Sequence, residues 1–79
     1  MQTWNINENR LTKTFTCQSF SDVIEKLNAL TPIANKENHH PDFTVFEYNK
    51  IRFELWTHDK NSVTAADYKM ADLIDTMFG

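Results

Sequence analysis

Glycine is nearly missing: the chain has one, Gly79, and it is the last residue. Glycine-rich phosphate loops and long flexible linkers are excluded together. Cysteine is as scarce, with Cys17 alone. One thiol cannot close an intramolecular disulfide, which excludes a secreted scaffold stapled by bridges. No apolar run approaches the roughly 20 residues a bilayer-spanning helix needs. Positive charge is also short, eight basic against eleven acidic groups for a net charge of −3. A protein that grips a phosphate backbone needs clustered Lys and Arg, so nucleic acid is not an expected partner. Met1-Gln2-Thr3-Trp4 has neither the basic start nor the apolar stretch of a signal peptide. What is left is one small cytoplasmic domain over residues 1–79, with no membrane partner expected. A chain this short buries only roughly 60–65% of its unfolded surface, which favours self-association.

Turn-forming clusters stand at Asn7-Glu8-Asn9, around Asn38 to Pro41, at Asn49-Lys50 and from Asp59 to Ser62. Between them the hydrophobic period changes. Residues 4–6 and 11–17 read as two strands, with Leu11, Phe15 and Cys17 alternating against threonines and Lys13 breaking the inner side. Ser19-Phe20-Ser21-Asp22 is a helix start. Phe20, Val23, Ile24, Leu27, Leu30 and Ala34 then recur at three- and four-residue spacing, as one helix face does. Pro32 lies inside this run and predicts a kink or a loosened last turn. Residues 43–48 and 51–58 read as strands. Thr64-Ala65-Ala66-Asp67 opens a second helix with Met70, Ala71, Ile74, Met77 and Phe78 inward. The order β-β-α-β-β-α predicts an α+β fold: a four-stranded antiparallel sheet with both helices packed on one face.

A two-residue tip at Asn49-Lys50 would set Tyr48 opposite Ile51, Phe46 opposite Phe53, Glu47 opposite Arg52 and Phe43 opposite Trp56. His58 would then face Pro41, with alpha carbons on the order of 5 Å apart. His39, His40 and His58 would gather at one end of the sheet. Lys50 is a poor second residue for a primed turn. A three-residue loop would shift the register by one residue and turn the second strand's faces over, and a four-residue loop from Tyr48 to Ile51 would keep it.

Three imidazoles in different surroundings can supply an acid and a base near neutral pH. His39 would sit just past the carboxyl end of the first helix, where the dipole favours a cation. Pro41 forces His40 toward an extended backbone, so the adjacent rings point apart. A zinc site of three imidazoles is the competing use, but neighbours with opposed rings make awkward joint ligands. Asp67 reads first as the acid of its capping box. Phe43, Trp56 and Val45 suit a ligand wall or, on the face away from the helices, subunit packing. Asp72 and Asp75, with Glu25 and Lys26, read as solvated helix surface, and Cys17 as a small core residue.

His39-His40-Pro41, then Tyr48 after six residues, His58 after nine more and Asp67 after eight more, resembles the signature of the pterin-4a-carbinolamine dehydratase family. Trp4, Leu11, Phe15, Phe20, Tyr48-Asn49-Lys50, Thr57-His58-Asp59 and Ile74 extend the resemblance over nearly the whole chain. It implies an enzyme, a hydro-lyase that removes water from 4a-hydroxytetrahydropterin to give quinonoid dihydropterin. The resemblance further implies catalytic His39, His40 and His58, with backbone at Pro41, Thr57 and Asp59 holding the pterin edge. Asp67 matches the signature's terminal acid, as a structural or a site residue. No metal and no organic cofactor are implied, and assembly as a homodimer or homotetramer is. Two departures stand out. The family's helix carries an acidic residue four positions before the first histidine, and here that position is Asn35. Glu37 cannot replace it, being about 200° further around the helix axis. The chain also resembles a short form, without the helix that usually precedes the first strand. The alternative reading is a non-catalytic interaction module of the same fold, weakened by Asn35.

Overall fold

The structure, a computed structural model, describes residues 4–79; residues 1–3, part of the segment read above as lacking a leader, lie outside it. The elements are β1 (Asn5–Asn7), β2 (Arg10–Thr16), α1 (Phe20–Glu37), β3 (Asp42–Phe46), β4 (Lys50–Leu55) and α2 (Ala65–Phe78). All strand pairs are antiparallel, in the order β1-β2-β4-β3. The expected order and α+β class are those observed. Glu8 and Asn9 both take positive φ, 52° and 63°. That is the backbone a two-residue primed turn demands, and it closes the first hairpin between Asn7 and Arg10.

Odd-numbered residues of β2 and β4 face the helices. Leu11 pairs with Leu55 and Phe15 with Ile51, and all four are buried. Val23, Leu30 and Ala34 of α1, with Met70, Ala71, Ile74 and Phe78 of α2, complete the core from the same side. Phe53 is at its centre, with the Phe15 and Phe78 ring centroids 6.1 and 5.1 Å away. Each side chain this buried contributes roughly 1.5–3 kcal/mol relative to exposure. Cys17 is buried as expected, and burial pushes its thiol above the ordinary range. Among the described residues no helix is long and apolar enough to cross a membrane.

Four expectations are corrected. First, the second hairpin has a three-residue tip, Glu47, Tyr48 and Asn49. The observed pairs are Phe43 with Phe53, Val45 with Ile51 and Phe46 with Lys50. Glu47 and Tyr48 take left-handed backbone, φ 47° and 55°. Asn49, the last residue of the tip, is tied to Cys17: its carbonyl accepts the Cys17 N–H at 2.7 Å, and its side-chain amide donates to the Cys17 carbonyl at 3.2 Å. β3 is therefore the strand whose faces turn over. Phe43 and Val45 lie on the helix side, Trp56 lies on the other, and the supposed wall of all three does not exist. Glu47 meets Lys50 rather than Arg52, and the ladder stops at Asp42 and Glu54, short of Pro41 and His58.

Second, α1 runs on through Pro32 to Glu37. Pro32 is on the exposed side, where the carbonyl it leaves without a donor can meet water. Third, Phe20 and Ile24 remain 54% and 38% exposed, so only part of the apolar stripe reaches the core. Fourth, Lys13 is buried on the inner face, and Asp75 is its partner at 2.7 Å rather than a solvated charge. The same carboxylate accepts the Trp4 indole N–H at 3.1 Å.

Candidate active site

The carboxyl end of α1 delivers the first two histidines. Asn38 adopts the left-handed conformation, φ 51° and ψ 40°. Its N–H donates to the Asn35 carbonyl and that of His39 to the Ala34 carbonyl, both at 3.1 Å. This six-to-one, five-to-two pattern is a Schellman ending, in which asparagine tolerates the position that usually needs glycine. The chain then turns sharply, sending His39 toward α2 and His40 back along α1.

His39 Nε2–H donates to Asp67 Oδ1 at 2.6 Å. The Asp67 side chain is 0% exposed. Its other oxygen accepts the Thr64 backbone N–H at 2.8 Å and the Thr57 hydroxyl at 2.9 Å, while the Thr64 and Thr57 hydroxyls are 2.7 Å apart. Asp67 thus caps α2 and holds His39 with the same carboxylate. A carboxylate that is ionised only accepts, so with that partner a neutral imidazole carries its proton on Nε2 and leaves Nδ1 turned away from Asp67. The capping reading of Asp67 is correct, and the contact with His39, 28 residues away, is added to it.

His40 turns the other way. Its Nε2 lies 3.0 Å from Asn35 Oδ1. Asn35, the position singled out above, is therefore the direct partner of His40. An amide can accept from or donate to an imidazole nitrogen, whereas a carboxylate only accepts.

His58 follows β4. Thr57 bridges to Ser62, with the Thr57 N–H donating to the Ser62 carbonyl at 2.9 Å. The His58 ring stacks on Trp56 at 4.1 Å between centroids with 28° between planes. His39, His40 and His58 line a single cavity of about 240 Å³ with Asn38, Trp56, Thr57 and Asp59. The three imidazoles gather although the register that suggested it is wrong, because the end of α1 and the exit of β4 lie at the same end of the sheet. Pro41 lines instead an adjoining apolar hollow of about 140 Å³, shared with His40, Asn35, Leu30 and Phe43. A larger hollow of about 690 Å³ lies at the opposite end of β4, between Lys13, Lys50, Phe46 and Gly79. It is lined by no histidine, and all three imidazoles line the smaller one. Among the described residues no group of three or more His, Cys, Asp and Glu is arranged to hold a metal ion.

The model of the pterin 4 alpha carbinolamine dehydratase family matches residues 1–77. The chain belongs to this family. A provisionally named pterin-4-alpha-carbinolamine dehydratase of Sulfurisphaera tokodaii is 38% identical over 77 residues, covering 98% of this chain and 82% of the relative. One of Sulfolobus acidocaldarius, with the same provisional name, is 38% identical over 72 residues, 91% and 78% of the two chains. Among solved structures, a transcriptional coactivator/pterin dehydratase from Brucella melitensis superposes with a TM-score of 0.87 at 28% identity, covering 98% of this chain and 81% of that one. A pterin dehydratase-like protein described as a RuBisCO assembly factor in the alpha-carboxysome has the same fold, with a TM-score of 0.78 at 20% identity over 99% of this chain and 92% of its own.

Against this family, the site contains more than the signature's histidines. Thr57 and Thr64 bond the carboxylate that holds His39, and the indole of Trp56 stacks on His58. Thr64 and Asp67 were detectable as a capping box. The roles of Thr57 and Trp56 had no short-range signal beyond lying beside His58.

Proposed function

We propose that this chain is a dehydratase that converts 4a-hydroxytetrahydropterin to quinonoid dihydropterin by histidine acid–base catalysis. The C4a–O bond breaks as the N5 lone pair forms the C4a=N5 bond; N5 loses its proton, and the departing hydroxide takes one and leaves as water. The enzyme has to hold one imidazole ready to accept a proton and another ready to give one. His39, held by Asp67 with Nδ1 unprotonated, suits the accepting role. His58, across the same cavity, suits protonation of the leaving oxygen. His40 contacts the pterin and aids transfer, and backbone at Pro41, Thr57 and Asp59 receives the pterin edge. Each proton transfer contributes on the order of 10²–10⁴-fold. The observation that carries this reading is the convergence of three differently anchored imidazoles on a single cavity.

Self-association as a homodimer or homotetramer belongs to the same proposal. β3 is an edge strand, and its Phe43 is 48% exposed. Edges of this kind invite pairing with another chain.

The decisive experiment follows dehydration of authentic 4a-hydroxytetrahydropterin by the purified protein beside its His39→Ala, His40→Ala, His58→Ala and Asn35→Glu variants. Accelerated turnover that falls in each histidine variant supports the reading, and unchanged turnover in His58→Ala removes that residue's role. A second reading, a non-catalytic interaction module, is favoured by the amide of Asn35 against His40. An inactive natural chain with activity recovered in Asn35→Glu would establish it.

A further inference from the structure

His58 is held differently from His39. Its side chain is 63% exposed, and its nearest carboxylate, Asp42, stands 4.0 Å away. The backbone beneath it is well fixed: Lys60 N–H donates to the Thr57 carbonyl at 3.1 Å and Asn61 N–H to the His58 carbonyl at 3.2 Å. Backbone order does not set a side-chain rotamer, and an exposed imidazole would sample several. Among the described residues, the ring contact it makes is with the indole of Trp56, nearly parallel at 4.1 Å.

Trp56 is itself anchored from both neighbouring strands. Its Nε1–H donates to Asp42 Oδ2 of β3 at 3.0 Å. The Arg10 guanidinium of β2 lies 4.4 Å from its ring centroid, and Arg10 reaches Glu54 of β4 at 3.4 Å. Three strands thus converge on a tryptophan that does nothing for the hydrophobic core, since it projects from the face away from the helices. The Asp42 oxygen that takes the indole N–H is also the one nearest His58 Nε2.

We propose that Trp56 is a positioning residue for His58: its indole, locked by Asp42 and Arg10, serves as a platform that holds the imidazole across the cavity. This rests on the dehydratase reading for its consequence in rate, but not for its geometry. Holding a proton donor in one orientation matters because misplacement by about 1 Å can cost on the order of 10²-fold. A stacked aromatic pair biases the ring by an amount equivalent to roughly two- to tenfold in population.

Two measurements test the proposal. In proton NMR of the folded protein, the His58 ring protons resonate upfield of their positions in Trp56→Leu, as stacking on an indole requires; identical resonances overturn the platform whether or not the protein turns out to be an enzyme. In steady-state kinetics, Trp56→Leu lowers kcat about two- to tenfold with little change in KM, and Trp56→Phe, which keeps a ring to stack on, recovers most of the loss. Combined with His58→Ala, Trp56→Leu adds no further loss if it acts through His58. A loss that multiplies in the double variant would assign Trp56 to direct substrate contact or to the fold, and would overturn the proposal. Absence of activity in the natural chain would sink the dehydratase reading and with it the catalytic consequence, leaving the NMR comparison to decide the geometry.

Discussion

Replacing Asp67 by asparagine exchanges one carboxylate oxygen for an NH2 group in a fully buried position, and the consequence can be followed donor by donor. In the natural protein Oδ2 accepts from the Thr64 N–H and the Thr57 hydroxyl, while Oδ1 accepts from His39 Nε2. An asparagine keeps one oxygen. Placed at the Oδ2 position it preserves the cap and the threonine contact and turns the NH2 toward His39. The amide then donates to Nε2, so neutral His39 must carry its proton on Nδ1, and the nitrogen proposed above to accept the substrate proton is occupied. The opposite flip would place the NH2 against the buried Thr64 N–H, two donors face to face, at about 1–3 kcal/mol. The first arrangement wins. Loss of one acid–base partner lowers turnover by on the order of 10²–10⁴-fold, while the fold, with the cap kept, loses no more than about 2 kcal/mol. Asp67→Ala behaves differently: it removes the cap, at about 0.5–2 kcal/mol, and strands buried donors at about 1–3 kcal/mol each. The assay pairs dehydration kinetics with nitrogen-15 NMR of the His39 ring and urea unfolding of each variant. Full turnover in Asp67→Asn, with the ring proton still on Nε2, would refute the reasoning.

Two further outcomes are expected. Phe53→Ala, at the centre of the aromatic cluster and 0% exposed, should cost about 3–5 kcal/mol, read as a lowered urea midpoint; a loss below 1 kcal/mol would mean that the core is not where the rings place it. Asp22, whose carboxylate accepts the Gln18 N–H, and Glu37, which receives the Lys69 ammonium at 2.8 Å, are both held below the usual carboxylate range. Groups lowered by folding stabilise above their unfolded values of about 3.9 and 4.3 and lose that contribution as pH falls through the folded ones. Urea midpoints should hold from pH 6 to about 4.5 and drop below it, less steeply in Lys69→Met; a constant midpoint down to pH 3 would contradict this.

Much of the architecture was readable because it is encoded locally. Ser19 caps α1, with its hydroxyl accepting the Asp22 N–H at 3.0 Å, and Thr64 with Asp67 opens α2, both announced by residues three apart. The inward set of β2 and β4 follows from period-two alternation; the histidine cluster is expected from a hairpin register that the structure overturns, and it forms because the end of α1 and the exit of β4 share one end of the sheet. The misread features are those decided between distant segments. The β3–β4 register turned on Asn49 bonding to Cys17, a partner 32 residues away, which drew Glu47 and Tyr48 into left-handed backbone that neither residue advertises. Lys13 looked like a flaw in its strand because its partner, Asp75, is 62 residues distant. Trp56 reads, with Phe43 and Val45, as a ligand wall or subunit-packing surface because its bond to Asp42 exists only once β3 and β4 are adjacent. Pro32 predicts a kink or a loosened last turn, and the helix nonetheless continues to Glu37 with Pro32 on its exposed side.

The double duty of Asp67 ties the chemistry to a fraying equilibrium. The first turn of a helix is ordinarily among the earliest parts of a protein to breathe, yet here each such opening would also unhitch an imidazole from its anchor. Amide exchange at Thr64 should therefore keep time with the fraction of molecules competent to react, and solvents or substitutions that loosen the start of α2 would silence the site without touching any histidine.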